Sequence, residues 1–351
     1  MQIPIGWAVD RWNLRYLYTA MFLLWSLSQG LTGLAAGLGM LIVLRVALGV
    51  GESIYFPGGV KIVSFLFTPE DRGLATGLFN SGISAGIAVG APLTAFLIVR
   101  YGWRHMFLIV GAVALLWLVP WLTAFPPRFP QRNSGTSSLV DAAPRRTRKH
   151  IVTLDRNLLG ICLGQFSEGY YWYLLVTWLP DYLMTERHMR LLSAGFYAAL
   201  PFLVFTIGQP LGGWLADSLV RLGWNETFVR KTIVTLAFLS GLLLIPATRV
   251  HSQTIAIWLI TGASLVGFSL GNIFVFSQCC APKDEVGIWA GCQNFVGNLS
   301  GVVAPIATGF LIAHTGSYSA GFTLGALVLV AGILPYWLIL GELRPHSQSR
   351  P

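Results

Sequence analysis

One stretch of this chain occurs twice. Residues 73–102 recur as 287–316 at a constant separation of 214 residues, which pairs Gly73 with Gly287, Gly77 with Gly291, and Asn80 with Asn294. A pentapeptide also recurs, beginning at Gly6 in the first copy and at Gly213 in the second. In an apolar chain, such repeats predict two homologous helix bundles that face each other, with a binding site in the space between them.

The composition places these bundles in a membrane. Hydrophobic residues make up 54% of the chain and charged residues only 11%, against roughly 25% charged residues in soluble domains. A bilayer core of about 30 Å requires about 20 apolar residues per helix. Ten segments meet this length and predict ten complete transmembrane helices: about 16–37, 40–66, 74–99, 104–125, 158–183, 193–216, 230–248, 254–280, 286–313 and 318–341. Residues 1–9 are too short to span and predict the last turns of a further helix.

The basic residues predict the orientation. Residues 126–157 are rich in Pro and Ser and then basic, so they predict a linker between an N-terminal bundle (1–125) and a C-terminal bundle (158–341), with a tail at 342–351. Placing the linker inside puts 17 of the 23 Lys and Arg on its side of the membrane and 5 on the other, with Arg45 remaining. Because positive loops stay cytoplasmic, the linker and both chain ends are predicted to be cytoplasmic.

Two charged residues lie inside the second complete segment. Arg45 and Glu52 are seven residues apart, which places them on nearly the same helix face about 10 Å apart along the axis. An intramembrane Arg or carboxylate needs a partner or a wet cavity. We therefore expect the pair to bind an organic anion at Arg45 and a proton at Glu52. The alternative is a structural charge pair that fixes helix packing.

Further polar residues are candidates for the cavity wall. Asn80 and Asn294 hold the same place in both repeats, and their amides could contact substrate or instead hydrogen-bond between helices. Glu168 is a second intramembrane carboxylate and a second candidate for proton coupling. Tyr170 and Tyr173 suit a wall that meets hydroxyl groups, with aromatic anchoring or core filling as the alternative.

The Gly82, Gly86, Gly90 series and its second copy predict close helix packing. The four Cys lie in or beside apolar runs without metal-ligand spacing, and no nucleophile with a base or phosphate-binding loop is present. We therefore expect no enzyme activity, cofactor or metal. The net charge of +9 is concentrated on the linker side, which indicates orientation rather than nucleic-acid binding.

Several motifs resemble a known family. GWAVDR, followed by Arg15, is similar to the signature loop between the second and third helices of the major facilitator superfamily. RVALGVGESIYFPGGVKIV, EDRGLATGLFNSG, GWRHMF, TWLPDYL and AGCQNFVGNLSGVVAPIATGFL resemble its anion:cation symporter branch, which includes carriers for galactonate, glucarate and hexuronates. The resemblance implies a monomeric secondary transporter of the bacterial inner membrane, which moves a sugar acid with protons by alternating access.

The resemblance also assigns roles. Arg45 and Glu52 match the family's fourth-helix charges, and Asn294 matches its eleventh-helix Asn. Asp10 and Arg11 are then expected to be gating residues. Asp217 is their counterpart, with Ser218 where an Arg would complete the repeat, so this gate is expected to be weaker.

Counting back from the signature loop, the family's first helix and most of its second are expected to precede Met1. Alternatives are a non-transporting fragment, a carrier of aromatic or dicarboxylic acids, and coupling to sodium instead of protons.

Overall fold

The computed structural model describes residues 1–68, 70–125, 155–282 and 285–343. Almost all of the predicted linker and most of the predicted C-terminal tail lie outside these residues. Within them, every regular element is helical, as the apolar segments predict.

Helices occupy all ten predicted segments. Their bounds are α1 Gln2–Arg11, α2 Leu14–Leu31, α3 Leu38–Glu52, α4 Tyr55–Leu66, α5 Arg72–Leu115, α6 Leu118–Ala124, α7 Arg156–Thr185, α8 Leu191–Arg221, α9 Glu226–Ser240, α10 Leu244–Arg249, α11 Gln253–Ala263, α12 Gly267–Cys280, α13 Val286–Thr315 and α14 Tyr318–Ala331, followed by a π-helical turn at Pro335–Ile339. In the described part of the chain, seven helical stretches are long and apolar enough to cross a membrane. The protein is therefore an all-helical, polytopic membrane protein.

The predicted helix at 40–66 is interrupted at its centre. α3 ends at Glu52, and α4 begins at Tyr55 after a turn in which the Ser53 hydroxyl donates to the Val50 carbonyl at 2.6 Å. Pro57 has no N–H group, so it cannot donate to the carbonyl of Ser53. The missing backbone bond and the Ser53 side-chain bond explain the break, which places Glu52 at mid-span on the end of a helix.

α5 is two helices joined at a bend. Gly102 has φ 80° and ψ 159° inside this long element, a conformation that glycine adopts at far lower cost than other residues. The bend falls between the predicted segments 74–99 and 104–125. α5 therefore includes one full predicted helix and the start of the next.

Each half has a peripheral pair of helices that is joined in the same way. In the first half, Arg15 donates to the carbonyls of Phe125 at 2.8 Å and Leu122 at 2.6 Å, and Trp121 donates to Thr19 at 3.0 Å. In the second half, Lys231 donates to the Leu340 carbonyl at 2.7 Å, and Trp337 donates to Thr235 at 2.8 Å. The basic residues, the threonines and the tryptophans each recur 216 residues apart.

The two halves meet at two helix crossings that contain the repeated glycines. Gly6 of α1 lies against Gly287 of α13, and Gly213 of α8 lies against Gly73 of α5. A Cβ at any of these four positions would collide with backbone atoms of the other half. The repeat is therefore a matched pair of close backbone contacts between halves.

The predicted glycine stripe is only partly a packing surface. In the second copy, Gly297, Gly301 and Gly309 each lie against a side chain of α7. In the first copy, the prediction was wrong: within the described structure, Cβ atoms at Gly86 and Gly90 would meet nothing within 4 Å. The reason is that, among the described residues, no helix lies close to this part of the glycine face of α5.

We predict that Gly213→Ala lowers the melting temperature of the purified protein, while Gly90→Ala leaves it unchanged or raises it. Alanine is favoured over glycine in helices by about 1 kcal/mol, but overpacking costs about 1–3 kcal/mol, and only Gly213 contacts another backbone. Thermal denaturation in detergent measures both. Equal shifts in the two variants would show that the crossing tolerates separation.

Candidate functional site

A cavity of about 640 Å³ lies between the two halves. This volume is within the range of sites that hold small organic ligands. Side chains of both halves line it, among them Gln2, Trp25, Glu52, Tyr55, Phe56, Asn80, Gln165, Glu168, Trp172, Tyr173, Gln209, Phe274, Asn294 and Asn298. The wall therefore combines aromatic rings, amides and a carboxylate from each half.

The two carboxylates have different surroundings. Glu52 belongs to the first half and is exposed in the cavity at the helix break. Glu168 belongs to the second half and is only 4% exposed. Its Oε2 accepts from Gln165 Nε2 at 2.9 Å, and Gln165 Oε1 accepts from Gln293 Nε2 at 3.0 Å. Gln293 in turn accepts from Ser277, so Glu168 ends a buried chain of amides across three helices of its half.

The repeated asparagines both line the cavity, as expected for paired positions. Asn80 is 3% exposed, and neither its Oδ1 nor its Nδ2 has a partner among the described residues. Asn294 lies near Tyr173, since Asn298 accepts from the Tyr173 hydroxyl at 2.8 Å and donates to the Asn294 carbonyl at 2.8 Å. Tyr173 lines the cavity, whereas Tyr170 is buried outside it with its hydroxyl 3.4 Å from Thr308.

Arg45 does not join Glu52 in this cavity. The lining along α3 includes Gly49 and Glu52 but not Arg45, which is exposed one turn beyond Gly49, with its guanidinium 5.3 Å from the centroid of the Phe107 ring. The expectation of one shared pocket is not met, because Arg45 lies outside the set of residues that line the cavity. Sharing a helix face is not sufficient for sharing a site.

Asp10 joins the first half to the second. Its two carboxylate oxygens accept from the backbone N–H groups of Gly287 at 3.0 Å and Ile288 at 2.9 Å, in the first turn of α13. Lys61 Nζ lies 2.7 Å from Asp10. The residue before α13, Glu285, makes no side-chain cap, so the other half supplies the acceptor that the unpaired N–H groups and the positive helix end require.

Asp217 repeats this arrangement in the opposite direction. Its carboxylate accepts from Gly73 N at 3.1 Å and Leu74 N at 2.7 Å in the first turn of α5, whose own preceding residue Asp71 makes no cap. Asp217 is paired with Arg230 at 2.8 Å, and both side chains are fully buried. We call the Asp10 and Asp217 contacts the two inter-half caps.

The cation of the second cap comes from an unexpected helix. Ser218 stands where the repeat would have an Arg, but Asp217 still has a positive partner. Arg230 of α9 pairs with it and also with Glu226, the latter at 2.9 Å. Arg11 lies beside Asp10 in sequence, but its guanidinium lies over the Trp7 ring, 4.3 Å from the centroid.

Sequence reasoning missed several of these residues. Arg230 and Lys61 contribute only to the count of basic residues that predicts the orientation, although both lie near the ends of predicted helices on the positively charged side, which is a signal of a role at the caps. Gln2 and Gln209 also recur, 207 residues apart, and both line the cavity. The repeat of these two glutamines is visible in the sequence. Because neither side chain is charged, neither is singled out as a candidate site residue.

Two helical halves, a cavity between them and reciprocal caps across their interface are the architecture expected of a membrane transporter. The family profile of the Major Facilitator Superfamily matches residues 1–281, and the chain belongs to this superfamily. Membership confirms that it is a transporter rather than an enzyme.

The chain is similar to named transporters over nearly its whole length. It is 30% identical to the D-galactonate transporter of Escherichia coli O6:H1 (strain CFT073), with 98% of this chain and 84% of that protein covered. It is 28% identical to the Probable galactarate/D-glucarate transporter GudP of Escherichia coli (strain K12), with 98% and 82% covered. The structure of the proton:xylose symporter XylE superposes with a TM-score of 0.74 at 13% identity, covering 98% of this chain and 83% of that one, which supports the fold.

The inter-half caps predict unequal effects of charge removal. Asp217→Asn leaves the fully buried Arg230 with one carboxylate fewer, a change that costs about 3 kcal/mol, whereas Lys61 is partly exposed and can turn toward water after Asp10→Asn. We expect a larger drop in melting temperature for Asp217→Asn. Asp71→Asn is the control, since its pair with Arg221 is half-exposed at 3.5 Å. A larger loss in Asp10→Asn would contradict this ordering.

Proposed function

We propose that this protein is a secondary transporter that takes up a sugar acid together with protons by alternating access. The observation that carries the proposal is the cavity between the halves, which contains one carboxylate from each half and several amides. Carboxylates bind and release protons, and amides bind hydroxyl groups. The similarity to galactonate and glucarate transporters supports a sugar acid as the substrate class.

The proposal includes an orientation in the membrane and assigns a role to each part of the chain. The bundles 1–125 and 158–341 are the moving halves, and the basic segment 126–157 joins them in the cytoplasm of a bacterial cell. The inter-half caps then lie at the cytoplasmic end and form the inner gate, with Asp10, Arg11 and Asp217 as gating residues. In this proposal the described conformation, in which both caps are formed, corresponds to a closed inner gate.

In the proposed cycle, Glu52 is protonated from the outside while the inner gate is closed. The sugar acid enters and contacts Asn80, Asn294 and Tyr173. Neutralising Glu52 removes a charge that is costly to move through the low-dielectric interior, so the loaded protein can reverse. Glu168 is the second proton carrier, and its amide chain through Gln165 and Gln293 holds it within its own half.

In this proposal, the positive charge of Arg45 attracts the substrate anion electrostatically from outside the cavity. Two unit charges about 10 Å apart interact by about 1.7 kcal/mol at an effective dielectric of 20, so a guanidinium beyond Gly49 attracts an anion toward the cavity without touching it. The Phe107 ring faces the guanidinium and holds it in place. Tyr170 is a structural support, since it is buried outside the cavity.

The function itself is tested with the purified full chain in proteoliposomes. An inward proton gradient should drive accumulation of labelled D-galactonate, and collapsing the gradient with a protonophore should abolish it. A panel of succinate, benzoate and hexuronates tests the alternative substrates, and replacing the proton gradient by a sodium gradient tests the alternative ion. Absence of gradient-driven uptake of any of these acids would reject the proposal.

Glu52→Gln should abolish uphill, proton-driven accumulation while exchange of labelled for unlabelled substrate continues. The amide mimics the protonated carboxyl, so substrate still binds but no proton is released. Comparing counterflow with gradient-driven uptake in the same vesicles measures both. Glu168→Gln is the parallel variant, and survival of full accumulation in Glu52→Gln would remove Glu52 from coupling.

Substitutions of Arg45 distinguish electrostatic attraction of the substrate at a distance from a direct contact with its carboxylate. If the charge acts at a distance, Arg45→Lys should retain affinity within a few-fold, and Arg45→Gln should weaken it about tenfold. A bidentate contact would instead be lost in both, because an ammonium cannot reproduce it. Isothermal titration with D-galactonate measures the affinities, and equal losses would place Arg45 in direct contact.

A further inference from the structure

Four amide side chains around the cavity follow the internal repeat. Gln2 and Gln209 are 207 residues apart, and Asn80 and Asn294 are 214 residues apart. All four line the cavity. Gln2 and Asn80 belong to the first half and Gln209 and Asn294 to the second, so the cavity contains a symmetric set of amides with equal contributions from both halves.

The amides lie directly beside the two helix crossings. A Cβ at Gly291 would lie 2.6 Å from the Gln2 carbonyl oxygen, and a Cβ at Gly77 would collide with the backbone of Gln209. Gly291 precedes Asn294 by less than one helical turn, and Gly77 precedes Asn80 by the same distance. Each crossing therefore has one Gln and one Asn, from opposite halves, on the side nearest the cavity.

Three of these amides have unused hydrogen-bonding atoms. Among the described residues, Oδ1 and Nδ2 of Asn80 and the Oε1 atoms of Gln2 and Gln209 have no partner. Asn80 and Gln209 are at least 97% buried, and buried polar atoms are rarely left unpaired. Gln209 donates through Nε2 to Ser84 at 3.0 Å, which leaves its carbonyl oxygen as the free atom.

The unpartnered amide atoms determine which chemical group of a ligand can hydrogen-bond to them. Amide carbonyl oxygens accept hydrogen bonds, and a carboxylate has no hydrogen to donate to them. A hydroxyl group can donate to the Oε1 atoms and both donate to and accept from Asn80. Three of the four unpartnered atoms are oxygens, so the set suits the hydroxyl-bearing end of a ligand better than its carboxylate, which among these atoms could accept only from Asn80 Nδ2.

We propose that these four amides bind the polyhydroxyl chain of the sugar acid and that they do so together only while the inner gate is closed. The inference rests on the proposed function, which it deepens. A ligand that bridges Gln2 to Asn294 and Asn80 to Gln209 contacts both helices at each crossing. When the halves separate, it keeps only the amides of one half, so its affinity falls and it is released toward the cytoplasm.

The first test measures selectivity. The full chain binds D-galactonate or adipate, which has carboxylates but no hydroxyl groups, in isothermal titrations of wild type, Asn80→Leu and Gln209→Met. We expect each variant to weaken D-galactonate about tenfold or more and to leave adipate within twofold. Gln278→Leu is the matched control: this buried amide also joins the halves, donating to Thr76 at 3.0 Å, but does not line the cavity. It should change neither affinity.

The second test measures the gate. The backbone N–H groups of Leu74 and Ile288 are held by the inter-half caps, so their hydrogen exchange reports gate opening. D-galactonate should slow this exchange in wild type, and adipate should not. If a substitution prevents folding, Gln2→Met gives the same comparison at a less buried position.

The outcomes separate the two proposals. Equal weakening of D-galactonate and adipate, or no weakening of either, overturns the role of the amides while uptake by wild type still stands. Slowed exchange with adipate overturns the coupling of hydroxyl binding to the gate. Failure of wild type to bind any organic acid would instead reject the proposed function on which this inference rests.

Discussion

The structure depends on a carboxylate from one half neutralising the start of a helix in the other half. Asp10 does this for α13 and Asp217 for α5, and in both cases the carboxylate meets the second and third N–H groups of the helix, the same ones that a local cap would bind. Because neither helix is capped by its own preceding side chain, the side-chain caps of these helix ends exist only while the halves are together. The association of the halves and the capping of these two helices are therefore linked.

The two inter-half caps have the same acidic residue in both repeats but different basic partners. Both aspartates recur at the end of the repeated pentapeptide, but Asp10 is paired with a lysine of α4 and Asp217 with an arginine of α9. The lysine is partly exposed, whereas the arginine is fully buried and has a second carboxylate in Glu226. A buried ion pair is costly to separate, so the two caps have the same geometry and different strengths.

The sequence was sufficient for the helices and for the pairing of the halves. Apolar runs of spanning length and the repeated glycines depend on local chemistry and on spacing, and both are read directly from the chain. The position of Arg45 could not be read in this way, because a helix face predicts direction but not how far a cavity extends along the axis. The role of Arg230 was also hidden, since the two carboxylates that pair with its buried guanidinium, Asp217 and Glu226, lie on two different helices. Gln2 and Gln209 acquire meaning only when the crossings place them beside the asparagines.

The joined peripheral helices have a mechanical consequence. Arg15 with Trp121, and Lys231 with Trp337, tie the outer helix pair of each half at the same end. These bonds restrain the two helices of each pair against sliding along one another. Each outer pair is therefore expected to keep its internal geometry as a unit, so that a change in the contact between the halves need not disturb it.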